Sequence, residues 1–212
     1  MRSLATVRAA ACVVAVAAAL AGCSSSHAAP AYHYRGLQPG PSLPRPSFQL
    51  VDTSGQAFDF ARQTAGRPTL LYFGYTHCPD ACPTTMADIA SALTRDGARI
   101  QQSVVVVFVT TDPARDTGPV LRSWLDKFDA KLPVKFIGLT GSESAVHAAE
   151  AAAGVPLSSP ERTGPHDYGV QHAALTLAYA RDDKAHVLYP DGTTVDTYAD
   201  DLPLLLAKRQ PA

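Results

Sequence analysis

Two cysteines, Cys78 and Cys82, sit where an apolar run gives way to a helical pattern, in the stretch LLYFGYTHCPDACPTTMADIA from Leu70 to Ala90. Leu70 to Tyr75 reads as a buried strand and about Pro83 to Asp96 as a helix, so the sulfurs fall at the junction. A thiol at a helix start feels the partial positive charge and unpaired N–H groups there, which lowers its pKa and favours the thiolate. Thiolates attack disulfides and bind soft metals. Three residues separate the pair, as C-P-D-A-C, and positions i and i+4 share a helix face, so both sulfurs can converge on each other or on one atom. A two-residue separation would indicate a thioredoxin-type disulfide exchanger. The wider spacing leaves room for a metal: paired sulfurs select Cu(I), and an added imidazole also accommodates Cu(II). The plain alternative is a structural disulfide, although closing so short a loop gains little. A copper site needs a further ligand from elsewhere in the chain.

The compartment follows from the start of the sequence. Arg2 and Arg8 precede an apolar run, Ala9 to Leu20, too short for a comfortable membrane span and ending in Leu20-Ala21-Gly22-Cys23. Residues 1–22 read as a signal peptide, and the last four residues of the run resemble a bacterial lipobox, which would leave Cys23 as a lipidated N-terminus. Of the four cysteines, Cys12 then goes with the leader and Cys23 carries lipid, so Cys78 and Cys82 have no other thiol to partner. The expected location is the extracytoplasmic face of the bacterial cell membrane. The formal charge of −1, or −3 without Arg2 and Arg8, argues against a nucleic-acid partner or a polybasic membrane patch.

Residues 23–46 are rich in Ser, Ala, Pro and Gly without apolar period and read as a flexible tether, in which His27 and His33 are solvated. Residues 47–212 read as one domain. It opens with a β-hairpin, Phe48 to Phe60 about Ser54-Gly55. Ser103 to Thr110 (SVVVVFVT) is a continuous β-branched run, typical of a strand covered on both faces in a parallel sheet. Thr117 to Asp129 is a helix with Leu121, Trp124, Leu125 and Phe128 on one face. Val134 to Leu139 reads as a strand, Ser142 to Ala153 as a helix, and Ser158 to Gly169 as a polar loop. Ala173 to Ala180 and His186 to Tyr189 form a hairpin about Asp182-Asp183-Lys184. A last helix runs from Tyr198 to Lys208, with Pro203 compatible only with its first turn. The order implies a thioredoxin-like α/β sandwich: a central mixed sheet, an N-terminal hairpin extension and flanking helices.

FGYTHCPDACPTTM resembles the signature of the Sco/SenC family, membrane-anchored copper proteins that assist assembly of the binuclear copper centre of cytochrome c oxidase. TTDPARDT (Thr110 to Thr117) and Tyr168-Gly-Val-Gln-His172 are similar to further family stretches, and the likeness runs from Phe48 to Arg209. The resemblance implies that Cys78 and Cys82 are thiolate ligands and His172 the imidazole ligand of copper, Cu(I) or Cu(II). It implies as partners apo cytochrome c oxidase subunit II or a periplasmic copper chaperone. Where the family usually places a bulky aliphatic or Asp before this histidine and Ser or Thr after it, this chain has Gln171 and Ala173.

Asp80 reads as a helix N-cap or as an acceptor behind the ligands, and Asp112 and Asp116 as site support or as turn and cap residues. Met86 reads as helix core, His77 as packing at the strand end, and His147, His166 and His186 as surface residues. The same dithiol on the same fold also permits a thiol-disulfide reductase acting on the partner's copper-site cysteines, or a redox sensor. A peroxidatic cysteine would need Thr or Ser three residues before it, where Tyr75 stands.

Overall fold

The computed structural model describes residues 33–165 and 167–207. Its strands and helices alternate through most of the chain: β1 (Leu43–Pro44), β2 (Gln49–Asp52), β3 (Ala57–Asp59), α1 (Phe60–Thr64), β4 (Thr69–Gly74), α2 (Ala81–Asp96), α3 (Ala98–Ser103) and β5 (Val105–Thr110). Then come α4 (Gly118–Asp129), β6 (Ile137–Thr140), α5 (Glu143–Ala153), β7 (Ser159–Arg162), β8 (Tyr168–Gln171), β9 (Leu175–Tyr179), β10 (Lys184–Pro190) and α6 (Val195–Leu205). Eight strands form one sheet in the order β1-β10-β9-β4-β5-β6-β2-β3, and β7 pairs with β8 apart from it. The central β4, β5 and β6 are parallel, while β9 runs antiparallel to β4 and β2 to β6, so the sheet is mixed as expected.

Every residue of β4 and β5 is buried, which is why these strands read as unbroken apolar runs rather than alternating ones. Their side chains alternate between two cores. Leu70, Tyr72, Val106 and Phe108 face α2, α4 and α6, meeting Ile89, Trp124 and Leu202. Leu71, Phe73, Val107 and Val109 face the opposite layer, meeting Phe60, Val146 and Ala149. Each large side chain so covered contributes roughly 1.5–3 kcal/mol of transfer free energy, enough to hold the C-terminal end of β4 as a rigid platform. Capping is local: Ser142 accepts from the Ala145 N–H at the start of α5, and Thr194 from the Thr197 N–H at the start of α6.

The structure corrects three expectations. The stretch 23–46 is not all tether, because the chain packs from Tyr34 onward. Tyr34 is buried, Leu37 bridges to Leu188, and β1 pairs with β10. Asp201 accepts hydrogen bonds from the backbone of Arg35 and Gly36 at 2.8 and 3.0 Å. The Arg45 side chain, only 4% exposed, ties the segment to Asp183, Thr64 and the Arg67 carbonyl and lies against the Phe60 and Tyr179 rings. Composition identified small and polar residues; it did not show that a sheet edge needed covering. His33 is exposed, while His27, Cys12, Cys23, the leader and His166 lie outside the described residues. Second, the stretch from Ser158 to Gly169 is not all loop, because half of it lies in the β7–β8 ribbon. Third, Pro203 sits in the last turn of α6, where only two helical residues follow it. The chain closes there with tighter bonds, from Leu206 N–H to the Pro203 carbonyl and from Ala207 N–H to the Leu204 carbonyl.

Candidate metal centre

Antiparallel pairing sets Tyr72 of β4 opposite Thr176 of β9, so the start of β9 lies beside the end of β4. His172, three residues before β9, therefore comes over the β4–α2 junction, where Cys78 occupies the loop and Cys82 the first turn of α2. The His172 Nε2 lies 3.5 Å from Cys82 Sγ and 3.9 Å from Cys78 Sγ, and all three donor atoms lie within 4.8 Å of one another. Bonds of about 2.0–2.3 Å from one ion to nitrogen and sulfur put such donors about 3.3–4.5 Å apart. Two soft sulfurs and an imidazole thus fit a copper ion. Among the described residues this is the one Cys/His/Asp/Glu group so arranged. The His172 Nδ1 is buried and finds no protein partner. A hydrogen on Nδ1 leaves the Nε2 lone pair facing the sulfurs.

The two thiols are not equivalent. Cys78 is half-buried, and its Sγ accepts the Cys82 backbone N–H at 3.3 Å. Hydrogen bonding from the Cys82 side chain, helped by His172 and the backbone N–H groups of Cys82 and Asp80, outweighs burial and brings its pKa down to about 4. Cys82 is fully buried; desolvation, then the neighbouring Cys78 thiolate, push its pKa well up. One sulfur is a half-buried anion, the other a covered thiol.

Sequence reasoning missed the aromatic wall of the site. The Tyr72 hydroxyl donates to Cys82 Sγ at 3.7 Å, and the Tyr72 and Tyr75 rings meet His172 edge-on at 6.0 and 5.6 Å between centroids. A tyrosine inside a buried strand looks like core, and no pattern distinguishes one whose hydroxyl serves a sulfur. Gly74 did carry a signal, since glycine in a strand marks close approach. A Cβ there would come 2.6 Å from Cys82 Sγ and 2.7 Å from the Tyr72 ring.

The remaining candidates are placed as follows. Asp80 occupies the N-cap position of α2, but its carboxylate makes no cap hydrogen bond and is exposed. Its backbone φ of −142° and ψ of −72° turn it out of the usual cap geometry, which corrects the N-cap reading of that side chain. Asp112 is buried, and it contacts Arg115 and Tyr168 rather than a sulfur or His172. Asp116, fully buried, accepts from Thr76 N–H, Thr76 Oγ1 and Thr110 Oγ1, pinning the loop that carries Cys78. His77 is exposed beside this network and Met86 is core. His186 pairs with Asp182 and stacks on Tyr34, so it is less free than a surface residue.

Fold and site together define a thioredoxin-like α/β domain with a Cys-Cys-His metal-binding centre at the end of its central strand. The SCO1/SenC family model matches residues 38–207, and the chain belongs to that family. It is 36% identical over 135 residues to a Stutzerimonas stutzeri protein provisionally named as copper-binding, covering 62% of this chain and 63% of that one. It is 39% identical over 102 residues to a SCO2-like protein of Rickettsia felis, covering 47% and 45% of the two chains. The chain therefore spans about half to two thirds of the length of these relatives. Among solved structures it resembles ScoI of Bradyrhizobium japonicum with copper bound (32% identity, TM-score 0.67, covering 77% of this chain and 99% of that one). It likewise resembles apo Sco1 of Thermus thermophilus (31% identity, TM-score 0.71, covering 84% and 99%).

Proposed function

We propose that this chain binds copper through Cys78, Cys82 and His172 and delivers it to a partner protein as an assembly metallochaperone. The partner is apo cytochrome c oxidase subunit II or a periplasmic copper chaperone. The observation that carries this reading is the convergence of the three donors at the end of β4. Copper bound to a similar protein of the same fold supports it. Cys78 presents a half-exposed thiolate from which an incoming ligand of the acceptor can take the cargo by ligand exchange, while Cys82 and His172 still hold it. Both sulfurs must be reduced to load.

The test is copper stoichiometry and affinity on the reduced purified chain. Wild type is expected to take one copper per chain. The Cys78→Ser/Cys82→Ser variant should lose affinity by more than about a hundredfold, beyond the usual cost of disturbing residues behind a ligand, and His172→Ala by about tenfold or more. Should His172→Ala bind copper as wild type does, the three-ligand site fails.

A second reading, the thiol-disulfide reductase, is favoured by the asymmetry of the thiols. The Cys78 thiolate would attack a partner disulfide and form a mixed disulfide. Cys82 would then displace the partner's remaining thiol, leaving the partner reduced and Cys78–Cys82 oxidised, to be reset by an external dithiol. A reductase tolerates loss of His172.

We also propose lipid anchoring at Cys23 on the extracytoplasmic face of the membrane, supported by the leader and lipobox alone. Growth with labelled palmitate should mark the chain, and Cys23→Ala should abolish the mark; labelling that persists in this variant would reject that attachment point.

A further inference from the structure

His172 is delivered by the β7–β8 ribbon, and that ribbon belongs to no larger sheet. All four residues of β7 are exposed, and a two-stranded ribbon is marginal by itself in water. What fixes its position is what β8 touches. Four residues before His172, the Tyr168 hydroxyl donates to Asp112 Oδ1 at 3.0 Å, and the Tyr168 carbonyl accepts from Arg115 Nη1 at 3.1 Å. The Tyr168 ring lies against the Arg115 guanidinium, 3.7 Å from Cζ to ring centroid, and Asp112 closes the triangle by pairing with Arg115. Asp112 is only 4% exposed, so its charge is compensated by these partners instead of by water. Arg115 also lies 5.9 Å from the centroid of the Tyr75 ring, whose edge meets His172. The Tyr75 hydroxyl bonds to the backbone of Val170.

We propose that Asp112, Arg115 and Tyr168 form a latch that holds the β7–β8 ribbon against the sheet and so sets His172 at bonding distance from the two sulfurs. Unlatched, the ribbon carries His172 away and leaves the metal on the dithiol, the arrangement from which an acceptor most readily removes it. The inference rests on the copper reading of the centre. The three are positioning residues: none of their hydrogen bonds reaches Cys78, Cys82 or His172 among the described residues. The known pattern of ligands does not require them.

The test uses the full chain with Tyr168→Phe, which keeps the ring over Arg115 and removes one hydroxyl, and Asp112→Asn, which keeps shape and removes charge. In the metal-free protein, amide exchange over residues 168–172 should quicken about tenfold, the scale of one hydrogen bond to a charged group, while exchange in β4 and β5 is unchanged. In the copper-loaded protein both variants should keep one copper per chain. They should lose Cu(I) to bathocuproine disulfonate about tenfold faster, and their Cu(II) spectra should show weaker imidazole nitrogen coupling, approaching His172→Ala. Wild-type exchange over 168–172 in both variants overturns the latch whatever the metal does. Faster exchange with wild-type copper release and nitrogen coupling also overturns it, because the ribbon would then not govern His172. A wild-type chain that takes no copper at this centre rejects the copper reading instead, and the exchange result alone then decides whether the ribbon is latched.

Discussion

At pH 6 the reduced, metal-free chain should be alkylated by iodoacetamide at Cys78 as fast as at pH 8, with Cys82 untouched. The sign follows from the site. The Cys78 thiol titrates at about 4, so its thiolate is present throughout this range and is lost only as the pH falls through that value. An ordinary thiol, with a pKa of about 8.5, loses about tenfold in rate for each pH unit below 8. Absolute rate is the wrong quantity to compare, because a thiolate of low pKa is also a weaker nucleophile; the shape of the profile is what separates the two cases. Cys82 is protected twice, by burial and by its neighbour's negative charge. Peptide mapping after a short pulse at each pH reads both positions. Replacing Cys82 with alanine removes the leading cause of the shift and should move the Cys78 midpoint upward, with His172→Ala moving it less. A Cys78 rate that falls tenfold per unit from pH 8 would reject the electrostatic account of the pair.

Gly74→Ala should be the most damaging single-methyl change near the centre. The added Cβ would lie 2.6 Å from Cys82 Sγ, 2.7 Å from Tyr72 Cε1 and 3.2 Å from Phe108 Cζ. All three side chains are at most 1% exposed, so none can move into solvent. Overpacking of this kind costs about 1–3 kcal/mol, or a fall in Tm of about 3–10 °C for a chain of this size. Because Cys82 and Tyr72 are among the atoms displaced, copper affinity should fall together with stability. Gly40→Ala is the control: its Cβ would meet nothing within 4 Å. A Gly74→Ala chain that melts and binds copper as wild type does would mean the end of β4 is looser than its packing indicates.

The central strands and the dithiol were legible in the sequence because each rests on local information. β4 and β5 are unbroken apolar runs, and the spacing of Cys78 and Cys82 states its own geometry. The placement of His172 beside the sulfurs was not local. The histidine lies 90 residues from Cys82, and only the strand pairing that brings β9 beside β4 places it; the sequence offered it through family likeness alone. Asp80 was misjudged for a backbone reason, since cap residues are recognised by type while capping depends on φ and ψ. The β7–β8 ribbon was read as a loop because Pro160, Gly164 and Pro165 look like breakers. Pro160 in fact sits in β7 opposite Val170, in a strand that has no partner on its outer side. Tyr168 and Arg115 stood out only as members of two family-like stretches, because the role of each comes from the other.

The short strand β1 covers one edge of the sheet. An uncovered sheet edge is a template for another chain's strand. On this side of the sheet, β10 would be that edge if the chain began at Phe48. Instead Leu43 and Pro44 cover part of it, Leu37 bridges to it further along, and buried Arg45, just after β1, is fastened to Asp183 in the β9–β10 turn. The covering strand is two residues long and ends in a proline without an N–H, so it offers little for a further strand to pair with. Residues that composition assigns to a leash thus cover this edge of the sheet, and a fragment cut just before the hairpin would leave β10 open to a second molecule.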